Sequence, residues 1–243
     1  MMTPRVLIGC EYSGIMRRAF AARGFDAWSC DLLPAEDGSN RHIRDDVRNH
    51  LGSGWNLLIV AHPPCTRLCR SGRRWLSGPG DMTPPKKLPK GRTWESMITE
   101  FENGVDLFLA CWNAPVAHVA IENPEMHDLA KRRMPSDLPV PQIVQPHWFG
   151  HPEYKATGWY LRGLPELQAT DRLPEPVKGS AEWKRWNRVH RMPPGPARAK
   201  ERSRSFPAMA EAVAKQWGNV LLRGIATDGR GATIDDLRTI GRE

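Results

Sequence analysis

A cysteine and a glutamate, each at the end of an apolar run, are the residues of this sequence best placed to do chemistry. His62-Pro63-Pro64-Cys65 directly follows WNLLIVA (Trp55–Ala61), a continuous apolar run typical of a strand buried on both faces. Ile121-Glu122-Asn123-Pro124 ends a second such run, Val116–Ile121. Open α/β sheets bind ligands beyond the carboxyl ends of their strands, so both side chains are expected where active sites are built. Each has a plainer reading: Cys65 as a small residue in a Pro-stiffened turn, Glu122 as a helix cap or ion-pair partner. Presented side by side by adjacent strands, a thiol and a carboxylate form a nucleophile–acid pair.

The elements that must position them alternate. Arg5–Cys10 reads as a buried strand, followed by a Ser13-led turn into a helix through Ala22, with Met16, Ala19 and Phe20 at helical spacing. Asp26–Cys30 is a short strand ending at Asp31. Ser96–Trp112 predicts a helix with Met97, Phe101, Val105, Phe108 and Leu109 on one face. Ala156–Arg162 reads as a strand, and Pro207–Leu222 as a closing helix with Met209, Val213 and Trp217 on one side. The alternation implies an α/β sheet, mostly parallel and covered by helices on both faces. Thr66–Thr93, with four prolines amid Gly, Lys and Arg, is too long for an ordinary connection and is expected to be a functional loop or a lid. Pro174–Arg204 is rich in Pro, Arg, Lys and Trp and is suited to tracking a phosphate backbone; from Gly224 the chain reads as a polar, peripheral tail.

Lys+Arg number 35 against 27 Asp+Glu, a net charge of +8 that favours a polyanionic partner such as nucleic acid. No apolar run approaches the roughly 18 residues of a membrane-spanning helix, and the N-terminus lacks the pattern of a signal peptide, so a cytoplasmic protein with no membrane partner is expected. Five cysteines without paired spacing exclude a disulfide framework, and no Cys-x-x-Cys pair points to zinc; no metal is expected.

In Pro64-Cys65 and Glu122-Asn123, in this chain order and each after a buried strand, the sequence resembles the cytosine-5 DNA methyltransferases, specifically compact phage-type relatives, from roughly Val6 to Trp217. The resemblance implies a Rossmann-like class I methyltransferase fold, an S-adenosyl-L-methionine-type donor, and DNA with a flipped cytosine as partner. It divides the chain into a catalytic and cofactor-binding domain (1–165), a reduced basic target-recognition insert (166–203), a closing segment and helix (204–223) and a polar tail (224–243). The implied chemistry is addition of the Cys65 thiolate to carbon 6 of cytosine, which makes carbon 5 nucleophilic towards a sulfonium alkyl group. Glu122, its pKa raised by burial, would protonate or hydrogen-bond ring nitrogen 3; a base would then remove the carbon 5 proton and Cys65 would be eliminated.

The other family positions carry over with departures. Cys10-Glu11-Tyr12-Ser13-Gly14 occupies the turn where the family has a richer glycine motif; Gly14 is what survives of it, with Gly9 just before. Asp31, with Leu32, suits the ribose hydroxyls, and Asp46, with Val47, resembles the residue that receives the adenine amino group, with Asp45 as rival. His62 and Pro63 are expected beside the donor. Lys155 falls where the family has an arginine on the cytosine carbonyl, keeping the charge but losing the fork. Ser203-Arg204-Ser205-Phe206-Pro207 resembles the last motif, with Arg204 in place of a neutral Asn. Arg204 would either receive the carboxylate of a carboxy-S-adenosyl-L-methionine, giving 5-carboxymethylcytosine, or turn outward to phosphate or to Glu201.

Only about 40 residues separate the Trp159 strand from Arg204, so few side chains are available to read base edges. Weak sequence specificity is expected, with Lys184, Arg185, Arg188, Arg191, Arg198, Lys200 and Arg202 on phosphates, joined by Arg67, Arg70, Arg73 and Arg74 of a segment closing over the flipped base. The chain is expected to be monomeric and, if phage-encoded, to act in the host cytoplasm. A zinc deaminase of flipped bases is excluded, because three residues separate Cys65 from Cys69 and the His-x-Glu (His151-Pro152-Glu153) comes afterwards. The same chemistry on a free pyrimidine nucleotide, and a catalytically inactive DNA-binding homologue, stay open as alternatives.

Overall fold

The computed structural model describes residues 3–76, 83–193 and 195–228. Its frame is a seven-stranded sheet of β1 (Arg5–Gly9), β2 (Asp26–Asp31), β3 (His42–Arg44), β4 (Leu57–Val60), β5 (His118–Glu122), β6 (Gln142–Val144) and β7 (Thr157–Arg162), in the order β3-β2-β1-β4-β5-β7-β6. All neighbours are parallel except β7, which runs antiparallel to both β5 and β6. Helices α1 (Ile15–Ala21) and α7 (Pro207–Asp228) lie together on one face; α2 (Trp94–Trp112) packs against β5. This is an open, Rossmann-like α/β sheet with helices on both faces.

Within WNLLIVA, Leu57–Val60 forms β4 at the centre of the sheet because each of these four residues has apolar company on its own side. Leu57 and Ile59 pack with Phe20, Trp159 and Trp217 on the α1–α7 face, while Leu58 and Val60 pack with Phe101, Phe108 and Tyr160 on the α2 face. All four β4 side chains are fully buried, worth roughly 1.5–3 kcal/mol each by transfer. Helix α2 starts two residues earlier than its apolar spacing predicts. Thr93 Oγ1 accepts the amide of Ser96 at 3.1 Å and Ser96 Oγ accepts that of Thr93, a reciprocal cap worth about 1 kcal/mol.

Three expectations change. Beyond Cys65 the chain is no single lid: Leu68 and Leu76 are core residues, and Arg70–Trp75 forms a 3-10 turn between them; residues 77–82 lie outside the described residues. The closing helix continues past Leu222 to Asp228, so the peripheral tail does not begin at Gly224; residues 229–243 lie outside the described residues. The basic stretch is partly helical, with α4 (Ala181–Trp186), α5 (Arg188–Arg191) and α6 (Pro196–Arg202), after the short α3 (Asp128–Lys131) earlier in the chain. The Trp186 ring packs at a tilt against His147 and Tyr154, and its backbone carbonyl accepts the Tyr154 amide at 2.8 Å, which ties the end of α4 to the segment before β7. No helix among the described residues is long and apolar enough to cross a membrane.

Candidate active site

The parallel pairing of β4 with β5 aligns Val60 with Ile121, so both strands finish at one level and release Pro63-Pro64-Cys65 and Glu122-Asn123 side by side. The two loops are then tied together. Cys69 bridges Met126, the His127 amide bonds the Leu68 carbonyl at 3.0 Å, and the Arg70 amide bonds that of Glu125 at 3.2 Å. His127 Nε2 lies 2.7 Å from the Arg67 carbonyl, and Arg70 pairs with Glu125. Close approach from behind requires two glycines. A side chain at Gly158 would come within 2.5 Å of the Asn123 carbonyl, whose own amide bonds Gly158 at 2.9 Å; Gly104 of α2 faces the Pro64 carbonyl.

Cys65, Glu122, Lys155 and Arg202 line one cavity of about 500 Å³, with Gln145, Tyr154, Val189 and His190 among its other walls. Burial raises the Glu122 carboxyl to about 7, against the pull of Lys155 and Arg202. Burial, then the Glu122 charge, pushes the Cys65 thiol to about 12, with Arg202 acting in the opposite direction. The resting site therefore holds a protonated thiol beside a carboxyl that is protonated in part near neutrality. An acid able to donate a hydrogen bond and a thiol that becomes a nucleophile on losing its proton thus share one cavity. Asn123 is fully buried; its Nδ2 donates to the Pro124 carbonyl, which shapes the turn, and its Oδ1 is left unbonded.

Lys155 lines the cavity and its charge acts on Glu122, as its expected position requires, and it has a second task. Its ammonium donates to the backbone carbonyls of Arg202 (2.6 Å) and Arg204 (3.1 Å), so it ties down the segment returning from the insert. Arg202, expected on phosphate, is the guanidinium that lines the cavity. Nothing in the local sequence marks it; it arrives through the fold-back of α6.

A second cavity of about 320 Å³ opens at the ends of β1 and β2, lined by Cys10, Asp31, Leu32, Asp45, Asp46 and Val47, with Asn103 and Leu107 from α2. Its lining shares His62 and Pro64 with the first cavity. Burial raises the Asp31 carboxyl, while Arg48, paired with Asp46, holds that carboxyl below the ordinary range. Asp45 is occupied by His50 and Asn49. Two acids for hydroxyl or amino groups, beside apolar Leu32, Val47 and Leu107, fit a nucleoside.

The rest of the glycine-poor turn does not face this space. Cys10 takes a left-handed φ of 54°, the conformation a glycine would adopt more readily. Glu11, Tyr12, Ser13 and Gly14 line neither cavity. Glu11 is buried, and its carboxylate accepts the amides of Met16 (2.6 Å) and Arg17 (3.2 Å), capping α1; burial still raises it to about 6. Pro63 lines the thiol cavity alone. Ser205 bonds His62, with Oγ 3.2 Å from Nε2. Arg204 lines neither cavity, and pairs with Glu36, not with Glu201, which takes Arg188.

Several cations expected on phosphate are already engaged: Arg67 with Glu100, Arg73 with Asp128, Arg188 with Glu153, and Lys200 with Glu36. Arg74 lies over the Trp75 ring. Lys184, Arg185 and Arg191 make no ion pair among the described residues, and the Nε of Arg198 is buried without a partner. Among the described residues no cluster of His, Cys, Asp or Glu is arranged to hold a metal ion.

No family model matches the sequence, and no curated protein matches it. Among solved structures, it is similar to a candidate DNA modification methyltransferase encoded within a prophage of E. coli, at 12% identity and a TM-score of 0.41. The match covers 65% of this chain and 46% of that one.

Proposed function

We propose that the chain is a covalent alkyltransferase, with Cys65 as nucleophile and Glu122 as acid. More particularly, it is a DNA cytosine-5 methyltransferase. The observation that carries this reading is the shared cavity of Cys65 and Glu122, whose lining has His62 and Pro64 in common with a second cavity of about 320 Å³.

Cytosine has an electrophilic carbon 6 and a basic ring nitrogen 3, and the pair of groups matches both. Cys65 gives up its thiol proton to solvent as its sulfur adds to carbon 6, while a protonated Glu122 donates to nitrogen 3 and draws electrons from carbon 6. Arg202 favours the developing thiolate, and Lys155 keeps the backbone that carries Arg202 in place. S-adenosyl-L-methionine supplies an electrophilic methyl group; Asp31, Asp45 or Asp46, with Leu32 and Val47, would hold its nucleoside. Arg204 gives no support for a carboxylated donor, since Glu36 already matches its charge.

A cytosine reaches a cavity this deep only after leaving the duplex stack. The insert (166–203) supplies the phosphate-facing side through Lys184, Arg185 and Arg191, and the closing segment (204–223) returns the chain to the catalytic body.

The decisive experiment is incubation with DNA containing 5-fluorocytosine and S-adenosyl-L-methionine, where the fluorine blocks the final elimination. A covalent protein–DNA complex is expected, lost in Cys65→Ser. The same assay on deoxycytidine monophosphate separates a free-nucleotide enzyme from one acting on DNA. Absence of any complex with either substrate refutes the mechanism.

A further inference from the structure

We infer that His62 is the proton acceptor that ends the reaction, taking the hydrogen from carbon 5 after that carbon has received its alkyl group. The inference depends on the reading of the chain as a cytosine-5 alkyltransferase and goes beyond it, because that chemistry requires a base and neither Cys65 nor Glu122 supplies it.

The position is reached by elimination. An alkyl group passing from donor to ring must cross where the two cavities meet, so carbon 5 of the bound ring lies at that junction. Only His62 and Pro64 belong to both linings, and proline has no group to accept a proton. Glu122, Lys155 and His190 belong to the thiol cavity alone, and Asp31, Asp45 and Asp46 to the other alone, so none of them stands at the junction. Ser205 holds His62 Nε2 at 3.2 Å from the closing segment, fixing the ring and leaving Nδ1 for a substrate. Burial, reinforced by the Lys155 charge, keeps the imidazole well below its usual pKa, so it waits neutral with a lone pair to offer. The same surroundings disfavour the imidazolium once formed, which drives the proton on to solvent.

The step balances. The carbon 5–hydrogen bond breaks and its proton goes to the imidazole. The electron pair forms the carbon 5–carbon 6 double bond, and the carbon 6–sulfur bond breaks with its pair returning to Cys65 as thiolate.

His62→Ala and His62→Gln test this with unmodified cytosine DNA, in a single turnover with methyl-labelled S-adenosyl-L-methionine. His62 lines the donor cavity, so the donor is supplied at saturation, and both variants should still bind it. Both should transfer label to DNA, yet accumulate a covalent protein–DNA complex whose release is slowed by about 100-fold or more, and added imidazole should speed release from the alanine variant. Release at the native rate overturns the inference. So does loss of donor binding, or failure of the variants to form the 5-fluorocytosine complex, because either result moves His62 to an earlier step. If the native chain itself forms no such complex, the methyltransferase reading fails first; if it does and only the variants behave as native, this inference alone fails.

Discussion

Replacing Glu122 by Gln should abolish transfer and at the same time stabilise the protein in alkaline solution. The carboxyl titrates at about 7 in the folded chain against 4.5 in the unfolded one, because burial opposes its charge. Between those values the folded state holds more protons than the unfolded state, so stability falls as pH rises through this window. The whole difference amounts to about 3 kcal/mol, lost by the time the pH exceeds 7. A glutamine of the same shape carries no charge and escapes that loss. Below pH 4.5 the two proteins should unfold alike; by pH 8 the variant should be more stable by about 3 kcal/mol, or roughly 6–12 °C in Tm for a chain of this size. The raised carboxyl of Glu11 is common to both proteins and cancels in the comparison. Urea unfolding of both proteins at pH 5, 6, 7 and 8 measures the effect. A difference that does not change with pH would mean that Glu122 is not held protonated by its site, and the acid role assigned to it would fall with that result. In the native enzyme the same titration should appear as a loss of kcat/KM as pH rises past about 7.

Two further outcomes follow from packing and charge. Gly158→Ala places a methyl group 2.5 Å from the Asn123 carbonyl, backbone against backbone, so it should cost about 1–3 kcal/mol and displace the Glu122 turn. Its kcat should fall at temperatures where circular dichroism still reports a folded protein, and an active, equally stable variant would contradict the described approach of β7 to β5. Changing Lys184, Arg185 and Arg191 together to Ala should weaken DNA binding without regard to sequence and flatten the slope of log affinity against log salt by about 2–3. A slope equal to the native one, measured by fluorescence anisotropy across a salt series, would remove the insert from the DNA interface.

How far the site could be read from the sequence depends on how each residue reaches it. Cys65 and Glu122 were legible because one follows the turn after a buried strand and the other ends such a strand, and the apolar runs announce β4 and β5 without reference to distant residues. Asp31 was legible for the same reason, at the end of β2. Strands β3 and β6 were not: each is three residues long at a sheet edge, where HIR and QIV carry no alternation to detect. The turn after β1 misled in a more instructive way. A glycine-poor loop with an acid in it reads as a weakened ligand loop, but Glu11 caps α1 and Cys10 takes the left-handed bend itself, so the turn is built without the missing glycines. Arg202 joins Lys155 at the cavity for a reason no local pattern holds. Lysine ends in a compact donor that bonds two carbonyls at once, and the return of α6 across the sheet edge brings the guanidinium of Arg202 to the cavity that the lysine was expected to serve. Strand ends thus declare the thiol and the carboxyl that share the cavity, while its cationic wall comes partly from a segment distant in sequence. Substitutions in the insert should accordingly alter the reactivity of Cys65 as well as the grip on DNA.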